Sequence, residues 1–398
     1  MVVDLENFQN ITVKANGVAT VGAGVRLGNL ALGLYSQGQR ALPHGTCPGV
    51  GIGGHFTHGG YGYDSRKWGL ALDTIIALDV VTANGSIIHA TSATYPKLYY
   101  ALRGAAESFG IVTHFYLQTQ PAPTNLVYWH YGFPNMYTSS ATMTNTFLHW
   151  QQFALNPAFV DQNIGFGVHM DGNDFSISGI YFGDINNFTS VIAPELLNGI
   201  PAPSYQQVQT VDWITALEYQ ATGGSATTLS EPLQGYDAHD DFFAKSLVAP
   251  ESAPLTSAAL TNYFNYIIAN GVNAPNPWFS IINLYGGASS AINTKPASFS
   301  SYADRSSLWV FQHYGYTGNT GSAFPSQIQP FITGLNDAIT SAQPQTNFTA
   351  YLNYVDPSLT AAQAHTLYYG SAVYNQLLTI KNLWDPNKVF WNPQAIGA

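Results

Sequence analysis

Between Pro43 and Gly62 the chain reads PHGTCPGVGIGGHFTHGGYG, eight glycines in twenty residues. Glycine loses more backbone entropy on ordering than any other residue, so this run favours neither a regular helix nor a strand. It allows instead a backbone that passes very close to something flat or phosphorylated, with many N–H groups left to cradle an anion. Gly49-x-Gly51-x-x-Gly54, with Asp73 about 20 residues on, formally matches the dinucleotide-binding fingerprint. That fingerprint needs a helix starting at its third glycine, and His55-Phe-Thr-His-Gly-Gly-Tyr-Gly is a poor helix former. The run therefore predicts a wide nest of amides for a pyrophosphate, not a helix N-terminus.

The only cysteine, Cys47, lies inside this run, so no internal disulfide exists. His44, Cys47, His55 and His58 have spacings that zinc can use. Flexible glycine-rich surroundings rarely fix a tetrahedral site, and no metal is expected. A cysteine nucleophile would need an orienting base and an oxyanion hole, which nothing here marks. On the residues alone, a structural cysteine in a loop stays open.

Composition narrows the partners. Only 9% of the 398 residues are charged, against about 25% in an ordinary soluble domain, while 14% are aromatic. The net charge is −10 with no basic run, which makes duplex nucleic acid and anionic membrane surfaces poor partners. A surface wetted by neutral polar groups suits a sugar ligand. Asp73 and Asp79 interrupt the longest apolar stretch, Leu70–Ala83, so no transmembrane span is expected. Four glycosylation acceptors, at Asn10, Asn84, Asn187 and Asn347, hint at a secretory route, although Met1 opens no signal peptide.

The expected fold class is α+β in at least two units. Val18–Val21, Thr74–Thr82, Ser86–Ala90 and Gly110–Leu117 read as strands, with Asn84-Gly85 a hairpin turn. Leu27–Tyr35 and Pro96–Arg103 read as helices. The interval Ala361–Leu383 carries Leu367, Val373, Leu377, Ile380 and Leu383 on one apolar helical face, ended by Asp385-Pro386. Pro121-Ala-Pro123 marks a boundary. The predicted organisation is a cofactor domain in two pieces, 1–122 and 341–398, enclosing a substrate domain, 123–340, with an antiparallel sheet covered by helices.

The run GAGVRLGNLALGLYSQGQRALPHGTCPGVGIGGHFTHGGYG resembles the bicovalent flavoprotein oxidases of the vanillyl-alcohol-oxidase superfamily, within them fungal oligosaccharide oxidases and berberine-bridge-enzyme-like oxidases. ALRGAAESFGIVTHF (101–115), YLNYVD (351–356) and DPNKVFWNPQAI (385–396) extend the resemblance. It implies a PCMH-type FAD-binding domain, FAD linked through Cys47, and a flavin bed made by Pro48, Gly49, Val50, Gly51, Gly53, Gly54, His55, Gly59, Gly60 and Gly62. Amide donors around Cys47 would supply the thiolate character that addition to a flavin needs. Gly110, Ile111 and Val112 match the adenine side, and Tyr354, Phe390, Asn392 and Gln394 the returning tail.

The resemblance further implies that Tyr351, in its Tyr-x-Asn motif, is the base that removes a hydroxyl proton while hydride leaves carbon. Oligosaccharide oxidases add a carboxylate just before a Gly-Gly pair; aligned on Gly286-Gly287, Asn283 stands there and can orient a phenol but not accept its proton. Trp278 and Gln312 match substrate-cleft residues. The implied activity is oxidation of an oligosaccharide C1 hydroxyl to a lactone, with O2 reduced to H2O2, in an extracellular monomer. Oxidation of a secondary metabolite and an inactive remnant are the alternatives. The family's histidine, bonded to the flavin 8α position, would lie upstream of anything present here. The chain thus resembles an amino-terminally incomplete oxidase, expected to leave sheet edges bare and to hold flavin poorly.

Overall fold

The computed structural model describes residues 3–237, 240–318 and 323–398. Two antiparallel sheets organise them. The first contains β1 (Ile11–Val13), β2 (Val18–Gly22), β4 (Ile75–Val81), β5 (Ile87–Thr91) and β6 (Ile111–Gln118), in the order β1-β2-β6-β4-β5. A two-residue pairing of β3 (Arg40–Ala41) with β7 (Gln120–Pro121) closes this region. The second sheet contains β8 (Leu126–Gly132), β9 (Ile164–Asp171), β10 (Phe175–Tyr181), β11 (Tyr205–Val211), β12 (Phe242–Pro250), β13 (Trp278–Leu284) and β14 (Ser307–Tyr316), in the order β11-β8-β10-β9-β13-β14-β12. The fold is α+β, and Asn84-Gly85 turns β4 into β5 with Gly85 at φ +81°.

Helices at 140–155, 257–270 and 328–340 cover one face of the second sheet. Met143, Phe147, Trp150, Tyr263, Phe264, Ile332 and Leu335 from these helices bury against Trp129, Phe166, Val168, Ile282, Trp309 and Phe311 from the strands. The strands alternate, so β13 sends Trp278, Ser280 and Ile282 to the helices and turns Phe279, Ile281 and Asn283 the other way. Part of that second face stays open, and the functional cavity forms there.

Two expectations fail, for physical reasons. A short helix does form inside the glycine run, Ile52–Thr57. Ile52 and Phe56, four residues apart and both wholly buried, anchor it in the core, so tertiary packing overrides the low helix propensity of Gly53 and Gly54. The long helix, Ala361–Trp384, is broken at Gly370, whose φ of +66° and ψ of 168° are not helical. The break shifts the phase of the second half: Leu377 and Ile380 stay buried, but Leu383 is 67% exposed. Lys381 occupies the inner face in its place, donating to Asp385 Oδ2 (2.7 Å), Ser108 O (2.5 Å) and Phe390 O (2.7 Å).

A buried cation just after the glycine run ties that segment to the second sheet. Arg66, fully buried, donates to Gly286 O (2.9 Å), Asp161 O (2.6 Å), Ala288 O (3.1 Å) and Ile164 O. Burial pushes its guanidinium down to about 10, which still leaves it charged at neutral pH. Replacing it strands the buried carbonyls of Gly286 and Ile164. Arg66→Leu is expected to cost on the order of 3–5 kcal/mol, with Arg66→Lys recovering little of it because an ammonium lacks the planar fork; denaturant titrations of the three proteins check this.

Candidate active site

Three segments distant in sequence wall a cavity of about 690 Å³. The glycine run contributes Gly45, Thr46, Cys47, Val50, Gly51, Gly54, His55, Tyr61, Gly62 and Tyr63. The open face of the second sheet contributes Phe242, Ala244, Ile281, Asn283, Gln312 and Tyr314. The C-terminal segment contributes Tyr351, Asn353, Tyr354, Val355 and Pro357.

Tyr351 is the most constrained of these. Its phenol oxygen accepts the Gly60 N–H and an Asn353 Nδ2–H, each at 2.8 Å, and its own backbone N–H donates to Ser246 Oγ at 2.8 Å. Tyr285, Tyr302 and Tyr354 meet its ring edge-on. Burial raises its pKa, while the donors from Asn353 and Gly60 favour the phenolate and hold it down. Asn353 donates also to His55 O at 3.0 Å, which ties the motif to the glycine run.

The glycines have separate tasks. Gly59, at φ +136°, lets the phenol come so close that a Cβ there would lie 2.6 Å from its oxygen. Positions 51 and 54 differ: a Cβ on either would meet nothing within 4 Å, so the backbone offers the cavity a bare floor. Gly49 turns away, under Tyr236, whose hydroxyl would be 2.0 Å from a Cβ. Gly53 faces Ala23 O and Gly62 His44 O. Pro48 and Gly49 fasten the loop through their carbonyls, to Gly28 N–H (3.0 Å) and Arg26 Nη1 (2.6 Å).

Cys47 is exposed and borders the cavity. Among the described residues no N–H donates to its sulfur, so the expected bed of donors does not surround it; the loop amides serve the backbone instead. His55 accepts the Gly45 N–H at Nε2 (2.9 Å), and burial, aided by His44, pushes it down to about 3. It is a neutral imidazole with its proton on Nδ1. Among the described residues no three His, Cys, Asp or Glu side chains converge as metal ligands.

Several expected positions lie elsewhere. Trp278 is buried on the helix side of β13, its indole N–H donating to Gly271 O at 2.9 Å. A strand period of two cannot put Trp278 and Asn283 in one cleft. Gly110, Ile111 and Val112 begin β6 and pack beside Val80 and Val81. Phe390 binds Lys381 and Asp385, Asn392 caps the turn at Gln394, and Gln394 donates to Asp356 O and Leu359 O. These tail residues brace the segment that carries Tyr351.

Sequence reading missed the sheet's aromatic rank. Phe242 stacks on Tyr314 at 4.6 Å, Tyr314 on Phe279 at 4.8 Å, and Phe279 on His169 at 6.3 Å. Alternation within Phe279-Ser-Ile281-Ile-Asn283 and Gln312-His-Tyr314 was the available signal. The missing piece was knowing which face is open. The rank is stepped across neighbouring strands, beginning in the cavity and running out of it.

A flat tricyclic ring suits this site: the floor at Gly51 and Gly54 is unobstructed, a thiol borders it, and a hydrogen-bonded phenol shares the space. Residues 1–91 match the family model described as "FAD binding domain", and residues 350–397 match "Berberine and berberine like". The fold and site define an FAD-linked oxidase. The chain belongs to the family of fungal oligosaccharide oxidases and berberine-bridge-enzyme-like oxidases. It is 34% identical to a xylooligosaccharide oxidase of Thermothelomyces thermophilus over all of this chain and 78% of that protein. A chitooligosaccharide oxidase of Gibberella zeae is 32% identical over all of this chain and 77% of its own length. A solved structure of glucooligosaccharide oxidase from Acremonium strictum, described as carrying a 6-S-cysteinyl, 8α-N1-histidyl FAD, superimposes with a TM-score of 0.89 at 30% identity, covering 99% of this chain and 81% of that one.

Gly59→Ala should push the phenol off its two donors while sparing the distant core. We expect a folded protein, judged by near-ultraviolet circular dichroism, whose Tyr351 nitration rate differs from that of the parent.

Proposed function

We propose that this chain is an FAD-dependent oxidase that converts the reducing-end sugar of an oligosaccharide to its lactone, with O2 reduced to H2O2. The observation that carries this reading is the Tyr351 phenol, bordering the cavity and met by two N–H donors. Oxidising C1–OH to C=O removes a proton from oxygen and a hydride from carbon. Tyr351 is the group that takes the proton, and its donors from Gly60 and Asn353 stabilise the phenolate that must be present beforehand. FAD, when bound, supplies the hydride acceptor and the route to O2.

Val50, Gly51, Gly54, His55 and Gly62 would hold the ring, and Cys47 is the proposed point of covalent attachment at flavin C6. Gln312 and Asn283 offer amides to sugar hydroxyls. Gly167, facing Asn283, leaves it room: a Cβ there would lie 2.6 Å from Asn283 Oδ1. Phe242 and Tyr314, stacked on each other, give the cavity an uncharged aromatic edge against which a sugar can lie. That neutral lining suits a sugar oligomer, and the enzyme is proposed to be an extracellular monomer, as the resemblance implies.

Asn283 favours a second reading. An amide where the resemblance implies a carboxylate leaves Tyr351 without a second proton acceptor, and an aromatic or alkaloid-like secondary metabolite is the alternative substrate. Peroxide release with xylotriose, chitotriose and cellotriose is the expected outcome; release only with aromatic alcohols selects the alternative.

Tyr351→Phe should lower kcat about 10²–10⁴-fold. Activity should rise with pH as the phenol ionises. Removing a donor that favours the charged form raises the phenol's pKa further, so Asn353→Ala should move the rising limb of kcat to more alkaline pH. An unmoved limb in a folded, flavin-loaded variant would count against Tyr351 as the base. Acid precipitation should leave the protein yellow, and Cys47→Ser should release more flavin than the parent.

A further inference from the structure

At the far end of β13, on the helix-covered side of the second sheet, a separate cavity of about 300 Å³ opens between the 257–270 and 328–340 helices. Three aromatic rings form its body. Tyr266 and Phe331 stack at 6.0 Å with 17° between planes, and Trp278 meets Phe331 edge-on at 5.3 Å. The polar handles of two of these rings are satisfied internally: the Trp278 N–H donates to Gly271 O (2.9 Å) and the Tyr266 hydroxyl to Phe331 O (3.1 Å). The half-buried Tyr266 and Phe331 are thus left to offer apolar surface, with the buried Trp278 closing the back of the cavity.

Asn270, Asn276 and Gln327 complete the lining with amides, and among the described residues no charged side chain lines it. Gln327 Nε2 donates to Asn276 Oδ1 (2.9 Å), and Asn270 Nδ2 donates to Tyr266 O (2.9 Å). Beyond those two bonds, Gln327 Oε1, Asn276 Nδ2 and Asn270 Oδ1 have no hydrogen bond to another described residue and can serve a ligand. Acceptors and a donor stand beside aromatic carbon, with no charge to balance an ion.

We propose that this cavity is an accessory binding site for a neutral glycan chain, distinct from the catalytic cavity. A pyranose has just this duality: its C–H face is apolar and lies against an aromatic ring, while its rim hydroxyls need both donors and acceptors. A phosphate or carboxylate would be desolvated without a counter-charge. Trp278 and Asn283 point to opposite faces of one strand and are separated by five residues, roughly 17 Å at about 3.3 Å each. The site therefore holds a chain without obstructing the catalytic cavity, and its chemistry does not depend on the oxidase reading.

The test is affinity electrophoresis of the full-length holoenzyme in gels containing arabinoxylan, barley β-glucan or glycol chitin, with Tyr266→Ala and Gln327→Ala beside the parent. Gln327 is exposed, so its variant keeps the fold even if Tyr266→Ala does not. The parent should be retarded by at least one polymer, and both variants should bind it about tenfold more weakly while peroxide rates with trisaccharides stay within about twofold. Equal retardation of parent and Gln327→Ala, or no retardation of the parent by any of the polymers, overturns the proposal. Retardation that persists when no oligosaccharide is oxidised would refute the catalytic reading and leave this site standing.

Discussion

The contact between the Gly59-Gly60 backbone and the Tyr351 phenol is the constraint on which the site depends. It joins residues 291 positions apart and needs three conditions together. Gly59 must lack a side chain, Gly60 must hold φ at +84° so that its N–H faces the ring, and Asn353 must supply the second donor. The C-terminal tail secures the last condition: Gln394 braces Asp356 and Leu359, while Lys381 and Asp385 fix the turn that precedes the tail. A phenolate at this position would be solvated by protein N–H donors rather than by water, which is what the proposed role as base requires.

A chain with so few charges spends the buried ones on backbone carbonyls. Arg66 donates to four carbonyls and Lys381 to two, and Arg305 binds both oxygens of Asp73. Such cations specify how the layers meet, since another packing would leave either the charge or its acceptors unpaired. The remainder of the interior is aromatic and aliphatic, with Trp129, Trp150, Trp213 and Trp309 all fully buried.

Local chemistry was legible in the sequence wherever the signal was local. The Asn84-Gly85 turn, four of the five strands of the first sheet and the helix end at Asp385-Pro386 all follow from neighbours a few residues apart. The six-residue helix at Ile52 did not, because its stability comes from core contacts of Ile52 and Phe56 that no propensity reports. Likewise the period of β13 was readable, but not the identity of its wet face, which is decided by where three helices land. Trp278 was misassigned for that reason, and Phe242, Tyr314 and Phe279 went unnoticed. Tyr351 was found only through its motif; its donors come from another part of the chain.

The two-sidedness of the second sheet separates what can vary from what cannot. Along β13 the residues at 278, 280 and 282 are committed to the helical layer, whereas 279, 281 and 283 turn to the other face, where Ile281 and Asn283 border the cavity. Exchanges on that side can recast molecular preference while leaving the helical layer's packing untouched. A lineage of such proteins is thereby free to diversify its diet one alternate residue at a time, without renegotiating how the molecule holds itself together.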